Sequence, residues 1–502
     1  MIRSRGLRAS ICLSAARTRF YSASPFAALS PEQINPKISK MEYAVRGQLV
    51  LNAQDHIKAI KSGEERPFPD VVLCNIGNPQ SVGQQPLTFP RQVLALCTCP
   101  SLMDDPAIVA ALPADVVARA KRILGGCHGM GAYSESKGIE VVRDSVKAYI
   151  ETRDGYPTDV EDIFLTNGAS EGVKTLLTML VCDSSDGVMI PIPQYPLYSA
   201  AITALGGSQV SYFLDEANGW TLSTECLDAA AAKAKAEGIK LRTLCVINPG
   251  NPTGQVMTEE NIKEVIAWAA KEGVLIMADE VYQTNVYDPT MKFHSFKKVL
   301  RSMPDLAETV ELVSFHSTSK GLIGECGMRG GYLELVNLHP DTKEQVYKSL
   351  SVNLCSNLPG QVMTDLMVNE PQPGDPSYES YRAEFDTIFE SLQRRAKKLV
   401  EGLNALDGVT CNQTSGAMYA FPQISMPAKW LEHCSKKGVP ADTQYCLDLL
   451  DATGICVVPG SGFGQVDGTW HFRTTFLPQE DQMDAVSERL ATFHSKFMSD
   501  FA

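Results

Sequence analysis

Apolar residues in this chain fall into two kinds of run, and their order predicts the architecture. Val188-Met-Ile190 and Val274-Leu-Ile-Met-Ala278 are unbroken, and Val310-Glu-Leu-Val313 is β-branched and mostly apolar. A strand covered on both faces needs such a run, so these read as members of a parallel sheet. Helical spacing separates them. Val173, Leu176, Leu177 and Leu180 recur within 171–182, and Ile262, Val265, Ile266 and Ala269 within 259–272, each set giving one buried face. Further strands are predicted at 71–74, 162–165, 209–214 and 241–248, and further helices at 114–124 and 139–153. From about residue 160 the pattern alternates strand, turn and helix. It predicts an α/β fold with a mostly parallel, doubly wound sheet.

The flanks read differently. Residues 32–66 carry helical patterning that Pro67-Phe-Pro69 breaks, and 80–105 are helical with proline interruptions. Glu370-Pro-Gln-Pro-Gly-Asp-Pro376 is a Pro/Gly break before one long helix at 381–406, and the domain boundary is expected there. Residues 407–502 read as α/β in miniature, with strands at 416–421 and 455–458 and a strand-like stretch at 469–476. No internal repeat or low-complexity segment interrupts this order.

A chain of 502 residues exceeds a single core and predicts two domains. Its net charge of −13 argues against nonspecific nucleic-acid binding, and no run approaches the ~18 apolar residues of a membrane span. The 14 cysteines lack metal-site spacing, so no metal is expected; Cys182, Cys245 and Cys456 read as small core residues in a reducing compartment. The amino terminus departs from the rest. Arg3, Arg5, Arg8, Arg17 and Arg19 stand among serines with no acid before Glu32, the signature of a mitochondrial transit peptide. Arg19-Phe-Tyr-Ser22 looks like a matrix-protease site. Removing 1–21 would take the net charge from −13 to −18 and leave a matrix protein.

The chemistry concentrates in Ser314 to Tyr332. A hydroxyl-rich turn follows the predicted strand, then Lys320, then glycines at 321, 324, 327, 330 and 331, with Arg329 among them. Such glycines let backbone approach a ligand, and hydroxyls with free N–H groups suit a phosphate. A lone lysine is nearly always a solvated surface charge; this setting is not the usual one for that. Thr166-Asn-Gly-Ala-Ser170 opens a helix and so offers an anion site at its positive end. Asp279 ends a buried strand, a site-like position in an α/β sheet.

This lysine segment resembles the Schiff-base segment of class I/II aminotransferases, which bind pyridoxal phosphate (PLP). Asn248-Pro-Gly-Asn-Pro-Thr-Gly254 and the other motifs follow in that family's order over about residues 75 to 478. The resemblance implies the type I fold of PLP-dependent aminotransferases: a large domain with a mostly parallel seven-stranded sheet, plus a smaller α/β domain. It implies a division into 1–21 (transit peptide), 22–107 (a segment joining the small domain), 108–376 (the large PLP-binding domain) and 377–502 (the small domain). Lys320 would carry the cofactor and move the substrate's α-proton. Asp279 would face the pyridine nitrogen, Asn251 and Tyr282 the phenolate oxygen, and Tyr195 the ring face. Ala169, Ser170, Ser317 and Arg329 would cradle the phosphate, joined in a homodimer by Tyr133 from the other subunit. Arg473, Asn251 and Gly77 would hold the substrate carboxylate. Within the family, Arg91-Gln-Val-Leu-Ala-Leu-Cys97 and Gly131-Ala-Tyr-Ser-Glu-Ser-Lys-Gly138, with the two motifs above, look closest to the alanine aminotransferase subgroup. That implies L-alanine plus 2-oxoglutarate giving pyruvate plus L-glutamate. A glutamate–glyoxylate or broad-specificity enzyme shares the same cofactor residues. A ligand-sensing regulator would need a DNA-binding domain that the sequence does not supply.

Overall fold

Seven strands build the central sheet, and their burial explains their composition. They are β1 (Ile163–Thr166), β2 (Asp186–Ile192), β3 (Ser208–Phe213), β4 (Lys240–Ile247), β5 (Leu275–Asp279), β6 (Leu312–Ser317) and β7 (Gly331–Val336). In this computed structural model, which describes residues 33–43, 45 and 47–502, the order across the sheet is β1-β7-β6-β5-β4-β2-β3. The transit-peptide reading of 1–21 lies outside the described residues. Only β7 runs against its neighbours, pairing antiparallel with both β1 and β6. Every residue of β5, β6 and β7 is buried. Helices cover both faces, so the sheet is of the mostly parallel α/β kind.

The helix Glu259–Glu272 shows why these segments take their form. Thr258 accepts the N–H of Asn261 as a cap, two glutamates sit in the first turn, and Gly273 ends the helix at φ 66°. Its buried side presents Ile262, Val265, Ile266 and Ala269 to the sheet. The helix Ala169–Leu180 is capped differently. Gly168, at φ 81°, precedes it and no side chain caps its first N–H groups.

Strand β7 has no counterpart in the sequence reading. It alternates Leu333 and Leu335 with Tyr332 and Glu334, and the second pair lies opposite His316 and Ser314 of β6. This face holds a buried polar layer. Lys297 Nζ donates to Glu334 at 2.5 Å with both side chains 2% exposed. A strand whose one face meets such a layer carries no continuous apolar run.

The smaller domain gathers around β8 (Tyr419–Ala420), β9 (Val458–Pro459) and β10 (Phe472–Thr475), with β10 central and antiparallel to both. The helix Tyr378–Asn404 links the two bodies. Its first turns pack Tyr381 and Phe385 against Phe89 and neighbours, and its later turns put Leu392, Ala396, Leu399 and Leu403 into the small-domain core. The segment before residue 107 divides its contacts. Val72–Leu73 pairs in parallel with Ile455–Cys456, whereas the helix Thr88–Thr98 packs on Ala114–Gly125 and Leu358–Val368. Among the described residues no helix is long and apolar enough to cross a membrane.

Candidate active site

A cavity of about 380 Å³ opens at the carboxyl ends of β5 and β6, where the small domain meets the sheet. Asp279, Tyr282, Ser317, Lys320 and Arg329 line it from the sheet side, with Ala169, Ser170, Tyr195 and Asn251 beside them. Arg473 enters from the small domain and Gly77 from the segment before the large domain. Eleven of the twelve residues singled out from sequence therefore share one space. Tyr133 is not among them; it stands 73% exposed on the surface.

Lys320 Nζ donates to the carbonyl of Gly77 at 2.7 Å. Residue 77 has to lack a side chain. A Cβ there would stand 2.1 Å from Tyr419 Oη and 2.8 Å from Lys320 Nζ. Asp279 is buried at the end of β5, where Tyr198 Oη donates to its Oδ2 at 3.0 Å and Oδ1 has no hydrogen-bond partner among the described residues. Burial raises its carboxyl to about 6, against the Tyr198 bond, the Val281 N–H and the charge of Lys320.

The opposite end is a cradle of donors. Arg329 adopts the left-handed region at φ 52°, which turns its guanidinium back to Ser319 Oγ (3.2 Å) and the carbonyl of Asn167 (2.9 Å). A Cβ on Gly168 would stand 2.6 Å from Arg329 Nη2, so the glycine admits the guanidinium to the uncapped helix end. Ser317 Oγ accepts the N–H of Ser319 at 3.1 Å beside it. Helix end, guanidinium and hydroxyls together make a site for a dianion.

Arg473 is 1% exposed on β10. It donates through Nη1 to Asn251 Oδ1 at 3.1 Å and through Nη2 to the carbonyl of Asn75. The rings of Tyr419 and Phe463 flank the guanidinium at 4.2 and 4.7 Å, and its Nε has no partner. The planar fork is thus oriented before any ligand arrives.

Sequence reasoning missed three tyrosines here. Tyr419 accepts from Tyr282 Oη at 3.1 Å. Burial alone would raise the Tyr419 phenol, but Lys320 and Arg473 outweigh it and hold it below the ordinary tyrosine value. Burial pushes Tyr282 well above that value. Tyr43 bonds Tyr195 through their hydroxyls at 3.0 Å and brings the amino-terminal segment to the cavity. Tyr198 is the partner of Asp279. It lies three residues after Tyr195, a helical spacing that the sequence did offer.

A lysine, a buried carboxyl, a cradle of donors and an oriented arginine share one cavity, an arrangement suited to a phosphorylated ligand and a carboxylate. The family described as "Aminotransferase class I and II" matches residues 104–490, and the chain belongs to that family. It is similar to alanine aminotransferase 1, mitochondrial, of Arabidopsis thaliana, 52% identical over 94% of this chain and 87% of that protein. Glutamate–glyoxylate aminotransferase 2 of the same plant is 46% identical over 95% and 98% of the two chains. Among solved structures, the alanine aminotransferase of Pyrococcus furiosus superposes with a TM-score of 0.73 at 22% identity, covering 92% of this chain and all of that one, a likeness of fold.

Proposed function

We propose that the protein is an alanine transaminase, converting L-alanine and 2-oxoglutarate to pyruvate and L-glutamate with PLP as cofactor. The observation that carries it is the single cavity bringing Lys320, Asp279 and Arg473 together, in a chain half identical to enzymes named alanine aminotransferases. The residues fit PLP. Asp279 Oδ1 is buried and has no partner among the described residues, as an acceptor for a protonated pyridine nitrogen requires, and Gly168 admits the Arg329 guanidinium to the uncapped helix end. When bound, PLP supplies an electron sink for the pair left behind when the α-proton departs.

The chain's own groups do the rest. Lys320 would be the attachment point for the cofactor and the base that moves the α-proton from substrate to cofactor. Asp279 would keep the ring nitrogen protonated, Asn251 and Tyr282 would steady the phenolate oxygen, and Tyr195 would fix the ring plane. The free N–H groups at Ala169 and Ser170, with Ser317 and Arg329, would hold the phosphate. Arg473, Asn251 and the backbone at Gly77 hold the α-carboxylate that every substrate shares. This reading takes 108–376 as the cofactor-binding domain and 377–502 as the small one.

The 46% identity to a glutamate–glyoxylate enzyme supports a second reading with the same cofactor residues. Steady-state assays with a panel of amino-acid donors and with 2-oxoglutarate, pyruvate and glyoxylate as acceptors separate them. Alanine with 2-oxoglutarate should give the highest kcat/KM. A preference for glyoxylate of tenfold or more over pyruvate would overturn the alanine assignment.

The exposure of Tyr133, with Val352 (80%) and Leu354 (51%) also exposed and Ser136 bonded to the carbonyl of Leu354, supports a homodimer in which Tyr133 of the partner subunit completes the phosphate cradle. Mixing inactive Lys320→Ala with an inactive Tyr133→Ala variant should regenerate one intact site per heterodimer. No recovery after demonstrated subunit exchange would contradict a shared site. The acid-free amino terminus supports import into the mitochondrial matrix and removal of 1–21. Sequencing the native amino terminus tests this, and a chain that retains Met1 in the cytosol contradicts it.

A further inference from the structure

A second, larger cavity of about 570 Å³ lies where the loop after β3 meets the small domain. Glu216 of that loop faces His471, the residue just before β10. Both carboxylate oxygens accept from His471 Nε2, at 3.2 and 3.1 Å, and Asn412 donates to the Glu216 carbonyl at 2.8 Å. On the other side of the ring, Gln465 Oε1 lies 3.0 Å from His471 Nδ1 and accepts from the His471 backbone N–H at 3.1 Å. The Gln465 amide is oriented by its own bond to Asp442 Oδ2 at 3.2 Å. Both ring nitrogens therefore face oxygen atoms, which fixes the ring from two sides.

The ring is also fixed in plane. It stacks on Phe421 at 4.8 Å with 3° between the planes, and Trp220 meets its edge at 6.0 Å. Phe421 packs on Phe463 at 5.8 Å, and Phe463 packs on the guanidinium of Arg473 at 4.7 Å. His471 and Arg473 are two residues apart on extended chain and so share one face. A continuous row of contacts thus runs from the large-domain loop to the substrate-facing arginine.

We infer that His471 is a positioning residue for Arg473, anchored across the domain boundary by Glu216, so that the loop after β3 sets the pose of the carboxylate clamp. This rests on the reading of Arg473 given above. The role is distinct from binding, because neither Glu216 nor His471 lines the substrate cavity. A displaced clamp weakens every ligand with a carboxylate by a common factor. That factor lies below the ~100-fold that a 1 Å misplacement costs at a reacting centre.

The test is Glu216→Ala in the holoenzyme. Its side chain is 27% exposed and borders the larger cavity. KM for alanine, pyruvate, glutamate and 2-oxoglutarate should rise together by about 3- to 20-fold, with kcat changed far less. The inhibition constant of propionate, which offers only a carboxylate, should rise by the same factor, while the visible spectrum of the bound cofactor stays as in wild type. Glu216→Gln, whose amide oxygen still accepts from Nε2, should recover most of the loss. His471→Phe keeps the stack on Phe421 and should reproduce it, with Glu216→Ala adding little on top. KM and propionate constants within twofold of wild type in Glu216→Ala would overturn the inference, as would a lowered Tm with unchanged KM. Arg473→Lys separates the two readings. If it weakens propionate while Glu216→Ala does not, the positioning role alone has failed. If it leaves propionate unchanged, the reading of Arg473 has failed and this inference falls with it.

Discussion

Lys320→Ala is expected to abolish transamination, a loss of at least ~10⁴-fold, because it removes both the covalent attachment point and the α-proton carrier. The visible absorbance of the bound cofactor should vanish as well, which distinguishes this variant from one that only slows proton transfer. The fold should survive. Lys320 Nζ bonds only the Gly77 carbonyl, at the edge of the cavity, and is part-buried. Turnover and absorbance are both read on the purified holoenzyme, with cofactor content measured after denaturation. Turnover within tenfold of wild type would remove Lys320 from the reaction.

Arg473→Lys should cost roughly 10- to 150-fold in kcat/KM, the loss of a charge-assisted bond of about 1.5–3 kcal/mol. Lysine keeps the charge and gives up the fork. It cannot donate to Asn251 and Asn75 while presenting two parallel donors to a carboxylate, and it loses the flat packing between Tyr419 and Phe463. The deficit should be alike for alanine, pyruvate, glutamate and 2-oxoglutarate, and the cofactor spectrum unchanged. A deficit confined to the two dicarboxylates would mean that Arg473 reads the distal carboxylate, reversing the substrate's orientation.

What the sequence made legible was decided by how local each signal is. β5 announced itself because every one of its residues is covered, which leaves an unbroken apolar run. β7 stayed hidden because Tyr332 and Glu334 face a buried polar layer, and polar residues within a strand read as solvent-facing. The helix after β1 begins at Ala169 rather than 171, since Gly168 at φ 81° makes the turn by itself. At the site, residues inside a dense motif were found from the motif. Tyr419 and Tyr43 were not, because their partners Tyr282 and Tyr195 lie 137 and 152 residues away along the chain. No local pattern encodes such a meeting. The amino-terminal segment divides its two hydrophobic stretches, Val72–Leu73 pairing with Ile455–Cys456 and Thr88–Thr98 packing on Ala114–Gly125 and Leu358–Val368, a split that no local pattern encodes.

The helix Tyr378–Asn404 has a consequence that is a matter of leverage. Arg395 donates to the carbonyls of Leu477 and Pro478, just past the end of β10, and Arg394 pairs with Glu480. At 1.5 Å per residue these anchor points lie about 25 Å along the axis from Tyr378. Pivoting there, a rotation of about 2° carries the end of β10 through ~1 Å, enough to cost ~100-fold at a reacting centre. The angular tolerance of Arg473 is therefore set partly at the far end of the rod. There the ring of Tyr381 meets Phe89 edge-on at 6.2 Å, in a cluster that contributes no residue to the lining of the cavity holding Lys320 and Arg473.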